Sequence, residues 1–319
     1  MITDKAISIC LLEILKEYSD EENILPMKEI LSKMNILYGL KPDRRTVYSA
    51  VGILGDLGYD ISLYEENKVG YYLRTRDIES SEVLLLCDAV YSFPFIAAKQ
   101  SEQLISKLQK LLSIHQRKKY RHLKLVNREK KTDNKQVFLN IEELDEAISS
   151  KKKVSFTYLK YDLSKKLIPR REKKYVVNPY QMVYMNEHYY LVCNYCGYSD
   201  TSLYKIDRMR DIEILDEDID KPLESHKEID NAIYAFVGRP EEVVMHCSKY
   251  IIDDVIDKFG ASVNLSDRDE DTFTARFKVS PRGVKFWALQ YLPYVEIVQP
   301  QWLRDEIVES INANRYNLP

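Results

Sequence analysis

No apolar run in this chain approaches the ~20 residues that a membrane-spanning helix needs; the longest, such as Val83-Leu84-Leu85-Leu86, are far shorter. The N-terminus meets acidic and polar residues at once (Asp4, Lys5, Ser8), which is not the pattern of a signal peptide. A cytoplasmic protein with no membrane partner is expected. Cysteine is sparse, and five in 319 residues, an odd number, do not make a disulfide framework. A large excess of positive charge is also missing. The net charge of −3 and pI of about 6.1 are not the footprint of a strong nucleic-acid binder, so any DNA contact must rest on local basic patches. There is no Gly-rich phosphate loop, nucleophile elbow or paired metal-ligand helix motif, and His115, His122, His226 and His246 recur at no fixed spacing. No enzymatic activity, catalytic residue, cofactor or bound metal is expected.

What is present fits an ordinary folded chain: 45% hydrophobic residues and enough length for two or three domains of roughly 100–200 residues each. Tyrosine stands out at 24 residues, and it suits half-buried strands with a hydroxyl at a wet edge. Ile7, Cys10, Leu11, Ile14 and Leu15 have helical spacing, and after Pro26 so do Met27, Ile30, Leu31 and Met34. A loop is expected from Asn35 to Lys41, and Pro42-Asp43 opens a third helix through Val47, Val51, Leu54 and Leu57, stopped by Gly58. Ile61 to Leu63, a polar tip at Glu65 to Lys68, and Tyr71 to Leu73 read as a β-hairpin with Gly70 near its bend. Three helices and a hairpin are the order of a winged helix-turn-helix, here over residues 1–76. Its third helix would present Arg44, Arg45, Thr46, Tyr48 and Ser49 to the major groove, with Lys41 and Lys68 as flanking contacts. A three-helix bundle with a solvated basic face is the other reading. Residues 1–76 hold more acids than bases, which favours few phosphate contacts.

Residues 77–140 read as a helical linker, interrupted by Pro94. Within it the bases Arg117, Lys118, Lys119, Arg121, Lys124, Arg128, Lys130, Lys131 and Lys135 face only Glu129 and Asp133. Such a run is a solvated connector or touches DNA phosphates. Residues 141–149 form a short helix. From Val154 the apolar period changes to two: Phe156 and Tyr158 alternate with Ser155 and Thr157, and further short strands run to Leu215. Their spacing predicts a small, strongly bent sheet or barrel over 141–220. Residues 216–231 are an acidic linker, and 232–319 follow a βαββαβ order, with Trp287 and Trp302 assigned to its core.

Within 141–220 lie Asn178-Pro179-Tyr180, Tyr189-Tyr190-Leu191 and Tyr204-Lys205-Ile206-Asp207-Arg208-Met209. With these segments and the order of elements around them, the chain resembles a WYL-domain transcription regulator. Tyr189 replaces the Trp of the family's namesake triplet, Tyr190 and Leu191 match it, and Lys205 stands where the family often has Arg. Phe286 to Tyr291, Val295 to Pro300 and Leu303-Arg304 resemble the C-terminal extension domain that often follows. The resemblance implies a multidomain α+β chain: a winged helix-turn-helix, a helical linker, a small Sm/SH3-like β-barrel, and a C-terminal α/β sandwich-type domain. It also implies a ligand-responsive regulator that binds a double-stranded DNA operator as a homodimer and senses a nucleotide or short single-stranded nucleic acid.

Strand parity assigns Tyr189 and Leu191 to the core and Tyr190 to an open face. Near Tyr190, Lys205, Arg208 and Arg210 would pair with phosphates, while Tyr190, Tyr158 or His188 would stack on a base or donate a hydrogen bond. Asp207 would orient Arg208. An Asp207–Arg208 pair that only pins a turn is the plainer alternative. Cys193 and Cys196 form the one CxxC; the spacing lacks the second pair a zinc site needs, so two unreactive thiols or a redox or metal sensor remain as readings. A nucleic-acid-binding accessory that modulates a partner effector is the alternative function.

Overall fold

The three apolar stripes of the N-terminal segment close on one another. Leu11, Ile14 and Leu15 of α1 (Ile7–Tyr18), Ile30 and Met34 of α2 (Met27–Tyr38), and Val47, Ala50 and Leu54 of α3 (Arg44–Asp56) share one buried cluster. α2 runs a turn further than its apolar spacing predicts. Its stop is Gly39, whose φ of 71° supplies the left-handed cap. Asp43 caps α3 by accepting from the Thr46 backbone N–H at 2.8 Å. The structure, a computed structural model, describes residues 6–119, 130–198, 200–220, 232–234 and 236–315. The chain forms two units, Met1–Lys135 and Gln136–Pro319.

After α3 come two very short antiparallel strands, β1 (Ile61–Ser62) and β2 (Tyr72–Leu73). The tip between them is a helical turn, α4 (Tyr64–Asn67), and not an extended polar loop. Asn67 holds it: its Oδ1 accepts from Val69 N at 2.7 Å and Gly70 N at 2.8 Å. Gly70 is required by close approach and not by a bend. A Cβ there would sit 2.1 Å from the Leu25 carbonyl oxygen, because Leu25 and Tyr71 exchange backbone hydrogen bonds of 2.9 Å.

α5 (Ser80–Ser92), α6 (Ala98–Gln109) and α7 (Ile114–Lys119) complete the first unit. The basic run is not the uniformly solvated connector that its composition suggests. Arg117 pairs with Glu17, and Lys119 with Glu22 at 2.7 Å. Lys131 is buried, and its Nζ donates to the Phe93 carbonyl at 2.7 Å and Ser101 Oγ at 2.8 Å. Burial without a carboxylate partner lowers its pKa to about 8. Arg121, Lys124 and Arg128 lie outside the described residues.

In the second unit α8 (Val137–Ser150) starts before the predicted Ile141 and packs on a sheet of six strands. These are β3 (Lys152–Tyr161), β4 (Leu167–Pro169), β5 (Tyr175–Met185), β6 (His188–Tyr195), β7 (Ser202–Lys205) and β8 (Met209–Asp218). The strand order is β4-β3-β5-β6-β7, with β8 also on β3. β7 and β8 therefore lie at opposite sides of the sheet, yet only the 3-10 turn Ile206–Arg208 joins them. That short connection requires the sheet to curl into a half-barrel. Register shifts at Pro179/Gln181 and along the β3–β8 pairing supply the bends. The core inside it holds Phe156, Val177, Leu191, Cys193, Ile206 and Met209.

The predicted βαββαβ order follows: β9 (Glu241–Ser248), α9 (Ile252–Phe259), β10 (Asn264–Asp267), β11 (Thr272–Val279), α10 (Pro281–Gln290), β12 (Val295–Gln299) and α11 (Gln301–Asn312). The antiparallel order is β10-β11-β9-β12. Val255, Trp287, Leu303 and Ile307 from the three helices bury one face with Met245, Phe273 and Ile297. Trp302 is not in this core as expected. It sits at the exposed start of α11, where its Nε1 donates to Glu241 at 3.2 Å. No helix among the described residues is long and apolar enough to cross a membrane.

Candidate functional site

The turn that closes the half-barrel, Lys205 to Met209, carries Lys205, Asp207 and Arg208 side by side. α8 fixes it from below: the Asn140 side-chain amide donates to the carbonyls of Ile206 at 3.2 Å and Met209 at 3.0 Å. From β3, the Tyr158 hydroxyl accepts from the Lys205 backbone N–H at 3.2 Å. Tyr190 and Lys205 are cross-strand partners, and the Lys205 ammonium lies 6.0 Å from the Tyr190 ring centroid. His188, two residues before Tyr190 and so on the same face, meets that ring edge-on at 6.1 Å. Arg208 places Nε 3.5 Å from Asp207 Oδ2, and its guanidinium lies over the Tyr161 ring at 4.2 Å.

The structure thus brings together Tyr158, His188, Tyr190, Lys205 and Arg208, five of the six residues predicted for ligand contact. Arg210 is exposed and opposes Thr157, away from the Tyr158 position, and no contact among the described residues joins it to the others. Parity put Tyr190 on the face away from the main core, where it is, but that face is not open there. Tyr190 is 4% exposed, packed beside His188 and Lys205. Its phenol is shielded, and burial pushes its pKa to about 12. Leu191 is fully buried and Tyr189 half-buried against the same core, as expected.

The electrostatics favour an anion. Burial, then the charges of Lys205 and Arg208, lower the His188 pKa to about 4, so the imidazole is neutral near pH 7. Burial also lowers Lys205, although Asp207 opposes the change. Asp207 is raised by burial despite both neighbouring cations. His188 Nδ1 and Arg208 Nε are buried with no hydrogen-bond partner among the described residues. Two cations beside one carboxylate, two buried nitrogens without a partner among the described residues, and Tyr161 as an adjoining ring give a turn of net positive charge that suits an anion. Sequence reading missed Tyr161. The alternation that ends β3 was the signal for an exposed ring there, but nothing local places Arg208 on it.

Of the residues expected to face DNA, Lys41, Arg44, Arg45, Tyr48, Ser49 and Lys68 are exposed. Thr46 is exposed too, but its hydroxyl is engaged in the helix cap, donating to Asp43 Oδ1 at 2.8 Å. Lys68 lies at the end of the α4 turn with φ of 59°. Cys193 is buried and Cys196 half-buried, and burial pushes both thiols up, away from the reactive thiolate form. Among the described residues no group of three or more His, Cys, Asp or Glu side chains is placed to hold a metal ion.

Comparison with known proteins gives the following. No curated protein sequence matches the chain. Two solved structures that match it are both distant. One is proteasome accessory factor B/C (PafBC) of Arthrobacter aurescens, 13% identical with a TM-score of 0.27; the match covers 97% of this chain, which spans only 48% of the length of that one. The other is described as a CRISPR Cas-related protein, 14% identical with a TM-score of 0.38, covering 99% of this chain and 92% of that one. Residues 140–214 match the WYL domain family and residues 239–313 match the WCX domain family. A WYL domain and, after it, a WCX domain are therefore found in the second unit of this chain.

Proposed function

We propose that this protein is a ligand-responsive transcription regulator, whose first unit binds a double-stranded DNA operator and whose WYL domain senses a nucleotide or short single-stranded nucleic acid. In this reading α1 to α3 and the β1–β2 hairpin are a winged helix-turn-helix, and the half-barrel is of the Sm/SH3 type. The protein acts as a homodimer on a two-fold site. The observation that carries the reading is the Lys205–Arg208 turn inside the WYL match, with its two cations and two unsatisfied buried nitrogens. An effector there must bind two arrangements of the protein with different affinity to change operator binding. The exposed Arg44 and Arg45 at the capped start of α3 support the DNA half. The test is operator binding by Arg44→Ala and Arg45→Ala, each expected to weaken affinity and to flatten its salt dependence by about 0.9 per lost phosphate contact. Unchanged affinity in both moves the DNA site elsewhere.

A second reading has its own support. The C-terminal end of α3 and the hairpin tip expose Ile53, Leu57, Leu63, Tyr64 and Val69, with Glu65 and Glu66 beside them. That composition suits a protein partner better than phosphate. In this version the protein is a nucleic-acid-binding accessory that modulates another effector.

A further inference from the structure

The chain joining the two units is pinned on either side of the boundary after Lys135. On the first side the pin is Lys131. Its ammonium donates to the Val90 carbonyl at 3.3 Å and the Phe93 carbonyl at 2.7 Å, in the last turn and at the C-cap of α5, and to Ser101 Oγ of α6 at 2.8 Å. Carbonyls at a helix C-terminus lack intrahelical donors and favour a cation. The Val90 carbonyl lacks one twice over, because its helical partner would be Pro94, which has no N–H. Thr132 N donates to the Pro94 carbonyl at 2.7 Å, and Gln100 Nε2 donates to the Lys135 carbonyl at 2.9 Å. The segment is thus held at Lys131, Thr132 and Lys135. On the second side α8 begins at Val137, so only Gln136 separates the held carbonyl from the helix. One turn into α8, Asn140 is buried and grips the Ile206 and Met209 carbonyls of the cationic turn.

A cap for α5 needs only a local side chain. This one comes from 38 residues beyond Phe93, on the segment that leads straight to the turn. Between Lys135 and Asn140 there is one residue and then one turn of α-helix, a stiff element with a fixed rise of about 1.5 Å per residue. A shift of the Ile206–Met209 turn that moves α8 therefore pulls on Lys135, and Lys131 passes the pull to the end of α5 and the start of α6. Building on the effector reading of that turn, we propose that residues 131–140 are a strap that carries its occupancy into the first unit, with Asn140 and Lys131 as the two pins. Lys131 is then a positioning residue, whose loss uncouples the two sites while each still binds.

The experiment measures the affinity of the full chain for its best genomic DNA fragment, with and without a saturating 5′-phosphorylated thymidine tetranucleotide. Two variants loosen the strap in different ways. Lys131→Met removes the ammonium, and a Gly-Gly insertion between Lys135 and Gln136 adds slack while keeping both pins. In wild type the oligonucleotide should shift fragment affinity by about 5- to 150-fold, the usual range of coupling between sites. Each variant should bind the fragment alone and the oligonucleotide alone within about twofold of wild type, and its shift should fall below about twofold. Coupling by any other route would outlast both changes, so a folded variant of either kind that keeps the wild-type shift overturns the strap and leaves the effector site standing. Should Lys131→Met fail to fold, the insertion decides alone. Loss of binding to either probe in a folded variant means a merely structural role and also overturns the strap. A wild type that does not bind the oligonucleotide, or whose fragment affinity ignores it, overturns the effector reading itself.

Discussion

Replacing Arg208 with alanine should remove most of the affinity for a phosphate-bearing effector. Its side chain is 20% exposed, stacked over Tyr161 at 4.2 Å, with a buried Nε that makes no hydrogen bond. The guanidinium is therefore held in place with donor capacity to spare. A hydrogen bond to a charged group contributes about 1.5–3 kcal/mol, or roughly 10- to 150-fold in Kd. Arg208→Lys keeps the charge but loses the planar fork, and should fall between alanine and wild type. The same change touches stability. The Asp207 side chain is 5% exposed, and its Oδ2 lies a long 3.5 Å from the Arg208 Nε. With Lys205 still beside it, losing Arg208 should cost about 1–3 kcal/mol, at or below the low end for a broken buried pair. Calorimetric titration with a 5′-phosphorylated oligonucleotide gives the first quantity and urea unfolding the second. Operator affinity without effector should stay at the wild-type value. A folded Arg208→Ala protein whose effector Kd lies within about twofold of wild type would refute the assignment of this turn as the anion site.

Three further outcomes follow from other parts of the chain. The folded-state pKa of His188, about 4, lies below its ordinary 6.5, so across this window the unfolded chain binds a proton that the folded chain refuses. Stability should be full above pH 6.5 and fall toward pH 4, by about 1–2 kcal/mol after allowance for partial exposure; His188→Gln should lack this component in urea titrations, and an identical pH profile would contradict it. Lys131, with a pKa of about 8 against 10.5, has the same sign in a higher window: wild type should gain stability relative to Lys131→Met as pH rises from 8 to 10.5, and a flat difference would show that the ammonium is not desolvated. Gly70→Ala forces a methyl to 2.1 Å from the Leu25 carbonyl oxygen and should lower unfolding stability by about 1–3 kcal/mol, whereas a change under about 0.5 kcal/mol would mean the hairpin moves freely off Leu25.

Much of this architecture was legible because local pattern and burial agree. The 3.6-residue spacing of Val47, Val51 and Leu54 marks α3, and the alternation around Phe156 and Leu191 marks β3 and β6. Parity found the correct side for Tyr190. It does not say what covers that side, and cover from His188 and Lys205 depends on the β6–β7 register. The Tyr158–Lys205 hydrogen bond joins residues 47 apart, and only curling of the sheet brings them together. Lys131 was hidden for a related reason. Inside a run of bases it reads as solvated, whereas its acceptors, Phe93 and Ser101, belong to the α5–α6 connection and the start of α6. The opposite error occurred at Trp302, where ring size suggested core but the start of α11 left the indole at the surface.

In the proposed reading, one chain couples a DNA site to a nucleic-acid sensor. The most direct measurement is selection of genomic DNA fragments with the purified full chain, followed by titration of the best fragment with and without a short single-stranded oligonucleotide. Enrichment of a fragment with inverted half-sites, whose affinity changes when the oligonucleotide is added, is the expected result. Folded protein that enriches no fragment at low salt, or an operator affinity indifferent to the oligonucleotide, would contradict it.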